Sequence, residues 1–357
     1  MIFMKRNFNR GVHFLLSGII LLVGLGRAQA LSVSRAQYLM GTICEITVIT
    51  ERIGKAEMAI SKAFQEILDL DRMMSSYRSD SELSRVNAQA ATSPVSTSPR
   101  LFEALSYSSH YAILTQNAFD PAVEPLIQLW DFRGEGRVPT KQGVQEALQK
   151  VGFEKIVLDD DSHTVFFREN GVGIDLGGIG KGYALDRAAL YLKKEGFPNA
   201  LLNFGGEILV LGHGPEGEDW KMEVADPQDR TQGVVFFYAT DVAISTSGNS
   251  ERFIEVDGKR YGHILDPRSG YPVKFNGSVT VIGPSATDAD ALSTALFVMG
   301  EKEGLKWLKK FPQIRAFYLV PDRSTGVRFA GTENLSNLGI VVNSEKTTLT
   351  KTKEEIK

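Results

Sequence analysis

Apolar residues recur at helical spacing between Gly54 and Asp71, where Ala56, Ala59, Ile60, Ala63, Phe64, Ile67 and Leu68 form one stripe, the pattern of an amphipathic helix. Just before it, Thr42-Ile-Cys-Glu-Ile-Thr-Val-Ile-Thr50 has the β-branched enrichment of a strand. The polar, serine-rich stretch from Ser75 to Ser98 reads as a loop, and a second helix begins near Pro99. Residues 141–151 predict a short helix, and 155–168 a hairpin turning on Asp159-Asp-Asp-Ser162. The next helix starts near Gly180 and stops before Gly196-Phe-Pro198, a Gly/Pro break. Strand patterns follow at 201–211, 220–225, 233–238, 252–256 and 278–282, divided by Gly, Asp and Pro turns. A helix after Ser285, another at 301–310, and strands near 316–320 and 326–329 close the pattern. Strand runs with interspersed helices predict an α+β fold, one large domain over 31–344 that can divide into two lobes. Residues 345–357, rich in Lys, Glu and Thr, read as a disordered tail.

The first thirty residues change this picture. Lys5, Arg6 and Arg10 precede an apolar run from Phe14 to Gly26, and Ala28-Gln-Ala30 gives a small-x-small cleavage pattern. This is the organisation of a signal peptide, with an apolar run too short for a convincing span. The expected mature chain starts near Leu31, is exported to the periplasm, and loses Lys5, Arg6, Arg10 and Arg27. That leaves 36 basic against 43 acidic side chains, a net charge of −7, which argues against nucleic acid as a partner. A single cysteine, Cys44, rules out an internal disulfide. Stability must come from a core, which a chain of this length can build.

The densest chemistry lies on the helix after Ser285. Ser285-Ala-Thr-Asp288 opens it like a capping box, and Ala291, Leu292, Ala295, Leu296 and Met299 give its apolar spacing. Asp290, Ser293 and Thr294 stand at i, i+3 and i+4 and share one face. That face is an oxygen half-shell suited to Mg²⁺, which completes its octahedron with water and substrate phosphate. Well upstream, Asp175-Leu-Gly-Gly-Ile-Gly-Lys181-Gly crowds four glycines at a helix start. Its spacing fits neither a Walker A loop nor G-x-G-x-x-G. It reads either as a tight strand-to-helix turn or as bare backbone that lets an anionic ligand approach helix-start amides. Together the two stretches point to magnesium-assisted phosphate chemistry. Tyr261-Gly-His263-Ile-Leu-Asp266-Pro-Arg268-Ser-Gly270 sets a histidine, a carboxylate and an arginine on a turn-rich segment. His263 is a candidate proton carrier or phosphate contact, and equally a turn residue. Ser245-Thr-Ser247-Gly-Asn249 offers hydroxyls and exposed amides to a ligand, or is merely a loop, and His110 and His163 read as structural.

Taken in order, these segments resemble the ApbE-type flavin transferases (FAD:protein FMN transferases). The resemblance runs from Met40-Gly-Thr42 through Tyr77-Arg-Ser-Asp-Ser-Glu-Leu-Ser, Ala118-Phe-Asp120, Asp175 to Tyr183 and Asn203-Phe-Gly-Gly-Glu207. It continues through Ser245 to Asn249, His263 to Gly270 and Ala289 to Thr294. Ser250 departs from the family pattern, where an aromatic or acidic residue is common. The resemblance implies an α+β fold with a T-fold-like core of mixed or antiparallel sheet and packed helices. It implies FAD as substrate, Mg²⁺ as cofactor, and transfer of FMN to a threonine hydroxyl of an acceptor protein with release of AMP. Acceptors of the family include flavin-carrying subunits of respiratory ion pumps and related extracytoplasmic electron-transfer proteins. By motif, Met40, Tyr77, Ala118, Phe119, Asp120, Asp175, Lys181 and Ile264 map onto FAD contacts, and Gly178, Asp290, Ser293 and Thr294 onto the metal neighbourhood. Mg²⁺-dependent hydrolysis of FAD to FMN and AMP, or flavin binding without turnover, are the rival expectations.

Overall fold

A computed structural model describes residues 31–249, 253–324 and 326–342, together with the backbone of 347–349. The expected signal peptide, Ser250 and most of the expected tail lie outside the described residues. The helices are α1 (Ile53–Met74), α2 (Glu82–Gln89), α3 (Pro99–Leu114), α4 (Glu124–Trp130), α5 (Lys141–Leu148), α6 (Gly180–Lys194) and α7 (Ala286–Leu308). Among the described residues the central sheet has nine strands. In spatial order they are Ser32–Leu39, Thr42–Ile49, Ala200–Phe204, Glu207–Leu211, Val242–Gly248, Ser278–Gly283, Arg315–Asp322, Gly326–Gly331 and Thr347–Leu349. Each neighbouring pair is antiparallel except the last, which is parallel. The α+β expectation holds.

Three layers result. On one face α1, α6 and α7 bury a core that includes Ile46, Ile60, Phe64, Leu185, Leu202, Leu292 and Phe297. The stripe expected on α1 is the buried one, with Leu70 more deeply buried than Leu68. On the other face a three-stranded sheet, Val341–Val342, Gly233–Ala239 and Trp220–Ala225, encloses Val210, Val235, Phe237, Ile244 and Phe317. A third cluster, around Leu126, Trp130, Ile254 and Leu265, joins α4 to the hairpin segment after Asn249. Among the described residues no helix is long and apolar enough to cross a membrane.

Several boundaries differ from the expectations. Residues 201–211 form two strands, because Gly205 and Gly206 take positive φ (64° and 98°) and turn the chain into a hairpin. The Ser75–Ser98 stretch contains α2, whose Ser81 side chain accepts from Ser84 N at 2.9 Å as an N-cap. The two helices expected after Ser285 are both present and follow one another within α7, separated by a break at Gly300 (φ 69°, ψ 175°). Of residues 345–357, Thr347–Leu349 pairs with Gly326–Gly331 as a short strand. Ser285 Oγ accepts from Asp288 N at 3.2 Å, half of the expected capping box. The rest comes from α6: Asp186 accepts from Ala286 N (2.9 Å), Thr287 N (2.8 Å) and Thr287 Oγ1 (2.6 Å). A carboxylate at the positive end of α7 is favourable, and it fixes the two helices in register.

Candidate active site

The Asp175–Gly182 turn leads into α6 and carries functional side chains at both ends. At its far end α6 meets α7 almost backbone to backbone. A Cβ at Gly182 would lie 2.2 Å from Ala286 O and 2.8 Å from Asp290 Cβ, so only glycine fits. This approach lets Gly182 N–H donate to Asp290 Oδ2 at 3.0 Å. Asp290 is buried beside Glu207, itself buried at the start of the Glu207–Leu211 strand. Lys181 Nζ lies 3.2 Å from Glu207 Oε1, and Ser245 Oγ donates to the same oxygen at 2.8 Å. Burial raises both carboxyls above their ordinary range. The neighbouring Asp290 charge raises Glu207 further, while Lys181 opposes the shift in both. One partly exposed ammonium faces two buried carboxyls, so a single proton shared between Glu207 and Asp290 would leave the cluster neutral.

Ser245-Thr-Ser247 is not a loop. It belongs to the central strand Val242–Gly248, and its hydroxyls are built into the site. Ser293 Oγ lies 2.8 Å from both Ser245 Oγ and Ser247 Oγ and donates to Asp290 O at 3.0 Å. Thr246 Oγ1 pairs with Thr280 Oγ1 at 2.9 Å. Ser293 is therefore committed to bracing α7 on the sheet. Thr294 faces the turn instead: a Cβ at Gly178 would lie 3.3 Å from Thr294 Oγ1 and 3.2 Å from Phe119 Cε2. Gly178, Asp290 and Thr294 thus gather on one side of the turn, with hard oxygens and one carboxylate, the donor set Mg²⁺ prefers.

At the near end of the turn, Asp175 Oδ1 accepts from Gly177 N at 2.8 Å, while Oδ2 accepts from Ser76 Oγ at 2.6 Å and from Arg133 at 2.8 Å. Arg133 also forks onto Glu124, with Nη1 at 2.6 Å from Oε1 and Nη2 on Oε2, and donates to Ser76 Oγ at 2.7 Å. Its guanidinium carbon lies 4.8 Å from the centre of the Tyr77 ring. The first amides of α6 are held from within the fold, Gly180 N by Leu176 O at 2.8 Å and Gly182 N by Asp290, and the bare turn lies between these two groups.

The other residues singled out from sequence lie on separate segments, of which Phe119 reaches the turn. Met40 sits in the β-turn after Ser32–Leu39 with φ 45° and packs partly on the core. Ala118 and Phe119 are buried, Phe119 against the turn at Gly178. Asp120 is buried with both oxygens taken by backbone, Oδ1 by Ala122 N at 2.8 Å and Oδ2 by Phe153 N at 3.1 Å. Burial pushes it up to about 6. It shapes the chain behind Phe119 rather than offering free oxygens. His263 and Ile264 lie, partly buried, on the bend between Lys259–Gly262 and Leu265–Asp266, where Ile264 O accepts from Val273 N at 2.9 Å. A cavity of about 480 Å³ opens beside this segment, lined by Asp266, Tyr271, Val273, Phe275 and Met299 among others, and not by the Asp290 cluster. Arg268 is paired, with Asp266 at 3.0 Å and Glu303 at 2.6 Å.

The model of the ApbE family matches residues 40–318, which takes in the turn, its two side-chain groups and the His263 bend. The chain belongs to the ApbE family. A relative from Treponema pallidum named FAD:protein FMN transferase is 32% identical over 315 residues, covering 84% of this chain and 87% of that protein. One of the same name from Vibrio cholerae is 33% identical over 278 residues, covering 75% and 83%. The crystal structure of the ApbE protein from Thermotoga maritima superposes with a TM-score of 0.80 at 32% identity, covering 86% of this chain and 99% of that one. The flavin transferase ApbE from Vibrio cholerae gives 0.77 at 29%, covering 87% and 99%. Within this family fold, two groups the sequence did not single out complete the site. Arg133 had no motif to mark it. Glu207 stood in the Asn203-Phe-Gly-Gly-Glu207 run with no role assigned, and the signal that it is buried is its place at the start of an apolar strand.

Proposed function

We propose that this enzyme transfers the FMN moiety of FAD to a threonine hydroxyl of an acceptor protein, with Mg²⁺ as cofactor and AMP as the second product. The reading is carried by one observation. A single glycine-rich turn joins an aromatic and acidic wall, Tyr77 and Asp175, to a lysine and carboxylate floor, Lys181, Glu207 and Asp290, in a chain whose relatives bear that enzyme name. A dinucleotide needs both a surface for its rings and positive potential for its pyrophosphate.

Gly178 O, Asp290 and Thr294 would hold Mg²⁺, which when bound neutralises pyrophosphate charge. Ser293 supports Asp290 and Thr294 by tying α7 to Ser245 and Ser247. The partly exposed Lys181 ammonium, held at 3.2 Å from Glu207, supplies positive charge towards phosphate oxygens. Met40, Tyr77, Ala118, Phe119, Asp175 and Ile264 line the approach for FAD, with Asp120 fixing the backbone beneath Phe119. The acceptor oxygen attacks the FMN phosphorus in line, a new phosphoester bond forms, and the bond to the bridging oxygen breaks, so that oxygen leaves with AMP. His263 is the candidate to take the threonine proton or to contact phosphate. The leader pattern at residues 1–30 supports export as the setting of this work, and the resemblance to the family supports flavin-carrying subunits of respiratory ion pumps or related electron-transfer proteins as acceptors.

The test is incubation of the purified protein with FAD, Mg²⁺ and a threonine-bearing acceptor domain. Covalent flavin on the acceptor is expected. Free FMN and AMP without adduct would make the protein a pyrophosphatase, and unchanged FAD would make it a flavin-binding protein.

A further inference from the structure

We propose that Arg133 is a positioning residue for FAD, locking the Tyr77 ring and the Asp175 carboxylate into one preformed wall on which a planar ring of the dinucleotide stacks. This rests on the reading of the site as an FAD site. Tyr77 is 66% exposed, an unusual state for an aromatic ring backed by a charge. One of its faces is held by the Arg133 guanidinium at 4.8 Å, while much of the ring stays open. An arginine stacked beneath an aromatic ring fixes the ring's tilt and leaves the opposite face free for a heteroaromatic ligand.

Arg133 is itself immobilised. Its side chain is 20% exposed, and it bonds Glu124, Asp175 and the Ser76 hydroxyl at once, from α4, the glycine-rich turn and the end of α1. Those contacts draw three separate segments onto one planar fork, which a lysine's single ammonium cannot reproduce. Arg133 also offsets two carboxylates, 6% and 12% exposed, that would otherwise repel a pyrophosphate approaching the turn. The guanidinium therefore acts through Tyr77 and Asp175 rather than on the reacting atoms.

The test is titration of flavin fluorescence with FAD, without Mg²⁺, on the whole protein. The wild type should quench the flavin on binding. Arg133→Lys should bind FAD roughly tenfold more weakly, the scale of one lost guanidinium–ring contact and its ordered wall, with shallower quenching. In turnover the loss should appear in KM, with kcat nearly unchanged. Tyr77→Ala should weaken binding alone, and its effect should not add to that of Arg133→Lys, because both remove the same wall. Glu124→Gln combined with Arg133→Met leaves no buried unpaired carboxylate at position 124 and should repeat the result in a folded chain, checked by its melting curve. Wild-type affinity and quenching in Arg133→Lys, or full additivity with Tyr77→Ala, would overturn the role of Arg133. A wild-type protein that does not alter FAD fluorescence would overturn the FAD site itself, and Arg133's role with it.

Discussion

Replacing Gly182 by alanine adds one methyl group where α6 meets the backbone of α7. The new Cβ would sit 2.2 Å from Ala286 O and 2.8 Å from Asp290 Cβ. Neither neighbour can rotate aside, since one is main chain and the other is the root of a side chain. Relief requires α6 and α7 to separate by about 1 Å, at a typical overpacking cost of about 1–3 kcal/mol. Separation also stretches the 3.0 Å bond from Gly182 N–H to Asp290, and a buried hydrogen bond to a charged group contributes about 1.5–3 kcal/mol. The total destabilisation is about 2.5–6 kcal/mol, and at about 2 °C per kcal/mol, the lower end that fits a chain this long, the melting temperature should fall by about 5–12 °C. Gly180→Ala, two residues earlier in the same helix turn, is the matched control. Its Cβ would meet only Met74 Cε at 3.8 Å, an ordinary contact, so it should be neutral or raise stability by about 0.4–1 kcal/mol. Differential scanning calorimetry on both variants decides the matter. Two melting temperatures at or above the wild-type value would refute the close approach of α6 and α7 that sets Asp290 in place.

Asp290→Ala removes the one anionic oxygen donor on its helix face, so flavin transfer should fall by roughly two or more orders of magnitude, with excess Mg²⁺ restoring it only in part. A folded variant with wild-type rate and unchanged Mg²⁺ dependence would contradict the metal assignment. Asp120 has its carboxyl raised to about 6 in the fold from 3.8, so its protonated form is the one the fold favours. The stability this gives is complete below about pH 4 and is lost as pH rises through about 6. Relative to Asp120→Asn, the wild type should therefore lose up to about 3 kcal/mol between those values, and urea denaturation curves with a pH-independent difference would count against it. N-terminal sequencing of protein from fractionated cells should find Leu31 first, in the periplasm; a full-length cytoplasmic product would exclude export.

The parts of this fold that the sequence reveals are those where burial repeats. α1, α6 and α7 bury a stripe against the sheet, and the spacing of that stripe is visible in the residues. Ser32–Leu39 escapes the same reading because it is an edge strand with only Val33 and Leu39 buried, so it shows no alternation. α4 is masked by Pro121 and Pro125, which sit where a helix start tolerates them. Val242–Gly248 looks like a loop because its Ser and Thr side chains are polar. In the fold they are paired across the sheet and onto α7, a satisfaction that depends on partners distant in sequence. The site divides in the same way. Asp290, Ser293 and Thr294 share a helix turn and are readable by spacing, whereas the Glu207–Asp290 proximity and the Arg133 fork join segments that only tertiary packing brings together.

The most direct test of the account is mass spectrometry of an acceptor domain after incubation with this protein, FAD and Mg²⁺. The account predicts a mass increase of one FMN, on a single threonine, matched by AMP in equal amount, and no adduct when that threonine is replaced by alanine. An acceptor of unchanged mass, with FAD either intact or cleaved to free FMN, would contradict flavin transfer as the function of this site.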